Sequence, residues 1–231
     1  MSCKHYLKGV RLTLWIMILS MVSWGQADKL TDGESSTKVT AKKTEVNRWK
    51  STLDILFIEA KTIPQKDKKA MAVADVADAY WQIDTIASQD LFGDAVDIAL
   101  TVDEKKDKEK SFRYILNLAS KRNTTFSKNL IEKIKSKKKF DSEIEEISIE
   151  TAQELLNEDL KKSAEFAESI APMGLANGSA MFLIFQITQK DANLGNRVYQ
   201  TYLRKALAQE QFPPDLLLLL AGYTFGNSEY Y

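Results

Sequence analysis

Cysteine and histidine are nearly missing from this sequence. It has one of each, and Cys3 and His5 both lie at the extreme N-terminus. Without that segment the chain has no means of forming an internal disulfide, a thiolate nucleophile, a histidine base or a zinc site of these residue types. We therefore assign no catalytic, cofactor-binding or metal-binding residue, expect no cofactor, and predict that the protein is not an enzyme.

Glycine, proline and net charge are also scarce. The 231 residues include 9 glycines and 4 prolines, and 32 basic side chains balance 32 acidic ones. Few helix-breaking residues together with 44% hydrophobic residues are typical of a helical globular protein. Because nucleic-acid binding needs a basic surface that displaces counterions, the charge balance argues against a nucleic-acid partner.

A mostly apolar run of 13 residues, Leu12–Trp24, lies near the start of the chain. Lys4, Lys8 and Arg11 precede it, and Gly25-Gln26-Ala27 supplies small residues before Asp28. Residues 1–27 therefore have the pattern of a secretory signal peptide. As a helix the run would be about 20 Å long, shorter than the ~30 Å hydrocarbon core of a bilayer. We expect cleavage after Ala27, a secreted or periplasmic protein, and no stable membrane insertion afterwards.

The rest of the chain divides by composition. Residues 28–44 are polar with scattered charge, and we expect a disordered leader there. Apolar residues at helical spacing begin at Glu45 and define a predicted α-helical repeat domain, residues 45–226, followed by a polar tail, residues 227–231. Pro64 should end the first helix, and a second should begin near Lys66.

The segment from Ala70 to Leu100 predicts two helices folded back on each other. Small alanines alternate with larger apolar residues at i, i+3, i+4 and i+7 spacing on both sides of Asp84. The carboxylate of Asp84 can accept hydrogen bonds from the free N–H groups of the next helix, as an N-cap does. Similar junctions are predicted at Asn123, Asp159 and Asp191, which lie 36 and 32 residues apart.

This spacing is typical of helix–turn–helix repeats, whose hairpins become stable by stacking on their neighbours. No series of period-two runs with strand-type turns competes with it. The sequence therefore predicts an all-α fold of about ten helices, in which antiparallel hairpins stack as a short, tetratricopeptide-like α-solenoid. A last apolar helix is predicted over Asp215–Phe225, after Pro213-Pro214.

Helix boundaries are less defined in two charged stretches. Residues 103–110 are interpreted as a charged connector, and the five lysines of residues 133–139 as a solvated segment between helices. Ser142 with Glu145, and Thr151 with Glu154, both have the spacing of a capping box. Either pair could start the following helix.

Three groups of residues have both a functional and a structural interpretation. Gly174 and Gly178 precede a helix, where free N–H groups could hold an anion, but a connector between repeats is favoured. Asp94, Asp97 and Asp103 lack the spacing of a calcium loop and are interpreted as a solvated helix face. Tyr80-Trp81 could line a groove, but burial at a contact between repeats is favoured.

Several segments resemble a family of secreted helical-repeat proteins from environmental, acidobacterial-type bacteria. They are AMAVADVADAYWQIDTIASQDLFGDAVDIAL (70–100), FRYILNLASKRN (112–123), 151–170, 182–207 and PPDLLLLLAGYTF (213–225). The resemblance covers roughly residues 56–225 and consists of packing motifs of tetratricopeptide-like type. It implies the fold and export, and no activity or site residue. Compared with the family, this sequence is lysine-rich and stops shortly after the last helix, as a short member or an incomplete reading frame would.

The functional expectation follows from the architecture. A stack of helical hairpins presents a surface much larger than a small-molecule pocket, and such surfaces usually bind peptides or proteins. We expect a non-catalytic interaction scaffold with a protein or peptide partner in the cell envelope. The alternatives are a carboxylate-based hydrolase of the kind that cleaves glycosides and a purely structural envelope protein.

Overall fold

A computed structural model describes residues 35–137, 141–175, 178–208 and 220–222. Within these ranges the chain forms nine complete helices and no strand. The prediction of an all-α fold built from packed helical hairpins is confirmed. The predicted signal peptide, residues 28–34, most of the predicted last helix and the polar tail lie outside the described ranges.

Within the larger compact unit, residues 48–231, most of the described residues lie in helices. Residues 1–47 form the other unit. The helices are α1 (Ser35–Thr62), α2 (Lys66–Tyr80), α3 (Thr85–Leu100), α4 (Lys105–Arg122), α5 (Thr124–Lys135), α6 (Asp141–Glu158), α7 (Leu160–Ile170), α8 (Ser179–Lys190) and α9 (Ala192–Leu207).

All four predicted junction residues cap the helix that follows them. The side chain of Asp84 accepts a hydrogen bond from Ala87 N at 3.0 Å. The side chains of Asn123, Asp159 and Asp191 likewise accept a hydrogen bond from the backbone N–H three residues further on, at 2.8–3.0 Å. Each of these residues is extended, with φ between −151° and −156°. A single extended residue is thus enough to reverse the chain between α4 and α5, α6 and α7, and α8 and α9.

The residue four positions after each junction is small and fully buried. These residues are Ser88, Ser127, Ser163 and Gly195. Ser88 Oγ donates to Ala77 O at 2.6 Å and Ser163 Oγ donates to Ala152 O at 2.7 Å, both across the hairpin. Small side chains let the second helix of each hairpin approach the backbone of the first, because a larger one would hold the helices apart.

The hairpins stack so that alternate helices form two layers. Layer A consists of α2, α4, α6 and α8, and layer B of α3, α5, α7 and α9. Each helix contacts its hairpin partner in the other layer and the next helix in its own layer. The core lies between the layers and is filled by apolar side chains such as Phe112, Ile115, Leu116 and Phe166, all at most 2% exposed.

The structure corrects the predicted helix starts. Helix α1 begins at Ser35, ten residues before the predicted Glu45, so residues 35–44 of the predicted disordered leader are helical. This segment has no glycine or proline, and extending an existing helix costs little. Helix α4 already starts at Lys105, which leaves little of the predicted connector.

Of the two predicted capping boxes, the one at Ser142 lies at the start of a helix. Helix α6 starts at Asp141, beside Ser142, and passes through Thr151. Thr151 Oγ1 donates to Ile147 O, four residues earlier, at 2.8 Å, so this residue lies inside the helix instead of capping it. Met173 and Leu175 lie in the break before α8. The two glycines of this break, Gly174 and Gly178, have φ of +74° and +76°, a conformation that favours glycine.

Candidate functional site: the free face of layer A

Among the residues that the structure describes, α1 contacts α2 through Val76 and Tyr80, and no helix packs on the side of layer A opposite layer B. We call this side the free face. Because the four junction residues are equivalent, positions counted back from them are equivalent too. Nine residues before each junction lie Asp75, Tyr114, Glu150 and Phe182, which we call row 1. Six residues before each junction lie Asp78, Asn117, Gln153 and Phe185, which we call row 2.

On the first two helices of layer A, α2 and α4, residues of the rows form hydrogen bonds between the helices. Tyr114 OH donates to Asp75 Oδ1 at 2.5 Å. Arg122 binds Asp78 through two parallel contacts, Nε to Oδ1 at 2.5 Å and Nη2 to Oδ2 at 2.9 Å. This two-point geometry matches the planar guanidinium to the carboxylate. Hydrogen bonding to Asp78 raises the pKa of Arg122 despite its partial burial.

A second set of contacts connects α4 to α6. Lys105 Nζ lies 2.8 Å from Glu143 Oε1, Arg113 Nη2 lies 2.5 Å from Glu150 Oε2, and Lys121 Nζ lies 2.7 Å from Glu158 Oε2. Asn117 Nδ2 donates to Glu154. The partners are 37 or 38 residues apart, a nearly constant offset that shows α4 and α6 to be parallel neighbours in matched register.

The middle of α6 is strongly acidic. Burial raises the pKa of Glu150, Arg113 opposes this, and the neighbouring carboxylates of Glu146 and Glu154 raise it further. No cation among the described residues forms an ion pair with Glu146 or Glu154. These two exposed carboxylates are therefore negative charges on the free face without a paired cation in that part of the chain.

Helix α8 brings aromatic side chains to the same face. Phe182 is 57% exposed and Phe185 is 42% exposed, in positions that Asp, Tyr, Asn, Glu or Gln occupy in the other three helices of the layer. Exposing a large aromatic side chain to water is unfavourable, so a neighbouring pair of exposed phenylalanines is typical of an interaction site.

At the junction end of the free face lies a depression of about 360 Å³. Charged residues of both signs line it, among them Asp78, Lys121, Arg122, Glu158 and Lys162. Lys162 Nζ donates to Lys121 O at 2.7 Å, which connects layer B to this end of layer A. Its lining contains as many acidic as basic side chains, and Arg122 and Lys121 already pair with Asp78 and Glu158, so the depression has no strong preference for an anion or a cation.

The residues that the sequence analysis singled out have structural contacts. Asp94, Asp97 and Asp103 lie 2.8–3.5 Å from Lys61, Lys133 and Lys66, respectively. Tyr80 is 2% exposed, and Trp81 packs against Phe92 and Phe126 with ring centroids 6.5 and 5.6 Å away. Gly178 begins α8. Lys133 and Lys135 of the lysine run pair with Asp97 and Glu145.

The sequence analysis did not identify the free face. A usable pattern was present, because aligning the chain on its four junction residues brings the eight row positions together. Among the described residues, no group of three or more Cys, His, Asp or Glu side chains has a geometry that could hold a metal ion. No helix in the same ranges is both long and apolar enough to cross a bilayer.

The fold and the face together define the class of molecule: an all-α protein with stacked helical hairpins and an uncovered layer. No protein-family model, curated protein or solved structure matches this chain.

Proposed function

We propose that this protein is a non-catalytic interaction scaffold that binds a protein or peptide on the free face of layer A. The observation that carries the proposal is the pair of rows across four neighbouring helices, ending in the exposed Phe182 and Phe185. The rows change character from helix to helix: two aspartates on α2, a tyrosine and an amide on α4, an acid and an amide on α6, and two phenylalanines on α8. Such variation suits recognition of a specific sequence.

The dimensions of the face favour a chain molecule as its ligand. Packed helices are separated by about 10 Å, so four of them span about 30 Å. An extended peptide covers that distance with about nine residues at roughly 3.3 Å each. A small molecule would contact only a fraction of the two rows, whereas a peptide could contact all four helices.

Export belongs to the same proposal and rests on residues 1–27. Cleavage after Ala27 would leave a protein that starts at Asp28 and lacks both Cys3 and His5. Intact mass measurement of the protein recovered from its native host should give the chain without these 27 residues. Recovery of a chain that retains Met1 would contradict export by this route.

Peptide selection tests the binding function directly. A phage library of random 16-residue peptides is selected against the full chain. Enriched peptides are then measured against two variants, one with Phe182→Lys and Phe185→Lys on the free face and one with Ile86→Lys and Asn129→Lys on layer B. All four positions are exposed. The proposal expects peptides whose binding is lost only in the free-face variant.

Two other outcomes would count against the scaffold. Peptides that bind equally to both variants would show that the free face is not the binding surface. Failure to enrich any specific peptide would favour a purely structural role.

A further inference from the structure

We propose that the part of the free face formed by α6 and α8 recognises a segment that carries lysine or arginine close to large apolar side chains. This inference rests on the proposed scaffold function and adds the chemistry of the partner. It combines two neighbouring features of layer A: the carboxylates of Glu146 and Glu154, and the exposed rings of Phe182 and Phe185.

The negative charge of α6 favours a basic partner. The helix contains seven acidic residues and no basic one. Those that face α4, such as Glu143 and Glu158, are paired with its lysines. Glu154 receives only the neutral amide of Asn117, and Glu146 has other carboxylates beside it. A cation brought to this position would meet two negative charges and would relieve their repulsion with Glu150.

The exposed phenylalanines of α8 favour apolar side chains in the partner. This helix has no acidic residue, and its one basic residue, Lys190, turns towards α6, where Nζ donates to Leu156 O at 3.2 Å. The outward positions of rows 1 and 2 are both phenylalanine. Covering these two rings with an apolar partner would remove a substantial area of apolar surface from water, which is the main source of binding energy in such contacts.

The geometry sets the spacing within the partner. Helices α6 and α8 are direct neighbours in layer A, and Phe182 is the positional equivalent of Glu150. The acidic and aromatic groups are thus separated by one helix-to-helix distance, about 10 Å. A matching segment needs its apolar and basic side chains about two helical turns apart, or about three residues apart when extended.

Designed peptides test this chemistry. The probe is a fluorescein-labelled 16-residue amphipathic helix with two leucines one turn apart and two lysines two turns further along. Two matched peptides replace both lysines by glutamate or both leucines by alanine. Binding to the full chain is followed by fluorescence anisotropy at low and at physiological salt.

Three forms of the protein locate the contact. Phe182→Ala with Phe185→Ala removes the aromatic pair, and Glu146→Gln with Glu154→Gln removes the uncompensated charge. Ile86→Ala with Asp90→Asn is the matched control, since it changes an exposed apolar and an exposed acidic residue on layer B. All four phenylalanine and glutamate positions are exposed, so the variants should retain the helical circular dichroism of the parent.

We expect the lysine-leucine peptide to bind at least tenfold more tightly than either matched peptide. The phenylalanine variant should bind this peptide about tenfold more weakly than the parent protein does. The glutamine variant should weaken binding several-fold and reduce its salt dependence, while the layer-B control should change it by less than twofold. Equal binding of the glutamate peptide, no binding of any peptide, or equal loss in the layer-B control would overturn the inference.

The two proposals fail in different ways. If the phage selection yields peptides that bind the free face but are acidic or lack apolar residues, the scaffold function stands and the proposed partner chemistry is wrong. If no peptide depends on the free face, both fail.

Discussion

At the scale of single residues, one position in each hairpin decides how closely its two helices approach. It is the small residue four positions after the junction, and in the last hairpin it is Gly195. A β-carbon added there would overlap Thr188 Oγ1 and lie 2.6 Å from Thr188 Cα, which is a backbone atom. By contrast, a β-carbon on Gly93 would lie 3.5 Å from the flexible end of Lys133.

Replacement of these two glycines by alanine should therefore have opposite effects. Gly195→Ala forces α8 and α9 apart, and we expect it to lower the free energy of unfolding by about 1–3 kcal/mol, as overpacking does. Gly93→Ala adds helix propensity without a clash and should raise it by roughly 0.5–1 kcal/mol. Urea denaturation followed by circular dichroism at 222 nm measures both. Equal effects of the two substitutions would show that the close approach at Gly195 is unimportant.

The capping residues give a second prediction at this scale. Asp191 accepts a hydrogen bond from Leu194 N at 3.0 Å, and alanine has no group that can do so. Asp191→Ala should cost about 1 kcal/mol of unfolding free energy, whereas Asp191→Asn keeps an acceptor oxygen and should cost much less. If Asp191→Asn lowered the free energy of unfolding as much as Asp191→Ala in urea denaturation, the negative charge would matter more than the capping hydrogen bond.

Asp84 adds a dependence on pH. The hydrogen bond from Ala87 N and then the one from Lys50 hold the pKa of this carboxylate below its usual range. A carboxylate with a lowered pKa stabilises the fold at neutral pH, and this contribution disappears as the pH falls through the folded-state value. The protein should therefore lose stability below about pH 4, the ordinary range of aspartate. Asp84→Asn, which cannot ionise, should show a shallower loss in thermal melts measured from pH 7 to pH 3.

At the scale of helices, polar contacts between neighbours in the same layer fix their register. The pairs between α4 and α6 follow the repeat length, and Tyr114 with Asp75, 39 residues apart, connects α4 to α2 in the same way. Arg122 with Asp78 is a second contact between α4 and α2. Most of these pairs are exposed enough for solvent to screen them. Arg122 and Asp78 are the best shielded pair, with side chains 26% and 20% exposed.

A double-mutant cycle should separate this pair from an exposed one. We expect Arg122→Met and Asp78→Asn to show a coupling energy of about 1 kcal/mol or more, because the two hydrogen bonds are charge-assisted and partly shielded. Lys61 and Asp94, 3.5 Å apart and about half exposed, serve as the control and should couple by about 0.5 kcal/mol or less. Arg122→Lys should not restore the stability, since lysine has no two-point geometry. A coupling for Arg122–Asp78 no larger than that of the control would contradict this prediction.

In the described part of the larger unit as a whole, each hairpin contacts only the hairpins beside it. Stability in such an array is approximately the sum of local terms and nearest-neighbour interfaces. The central helices, α4 to α7, have neighbours on both sides within the array, whereas among the complete helices of the described ranges α9 has a layer-B neighbour, α7, on one side only. Opening should therefore proceed from the ends.

Hydrogen exchange followed by mass spectrometry can detect this gradient. Amide protection should be highest in α4 to α7 and lower in α9. The cap variant Asp191→Ala should increase exchange in α8 and α9 while leaving α2 and α3 nearly unchanged. Uniform protection across all helices, with a uniform response to the variant, would indicate one cooperative unit instead.

The helical class, the four junctions and most of the core follow from local features of the amino-acid sequence. Asp84, Asn123, Asp159 and Asp191 were predictable because a cap depends on the few residues next to it, and an apolar stripe such as Phe112, Ile115 and Leu116 depends only on helical periodicity. The start of α1 was mispredicted, since whether a weakly helical segment continues a helix depends on the helix it adjoins.

Which polar residues meet depends on how the helices stack. Nothing local pairs Arg122 with Asp78, 44 residues away, or brings α8, which carries Phe182, beside the acidic helix α6. These contacts arise because stacking brings every second helix into the same layer, so that residues one repeat apart become neighbours. The free face is a product of that arrangement, because periodicity shows that a residue is turned away from the core but not which other helices surround it.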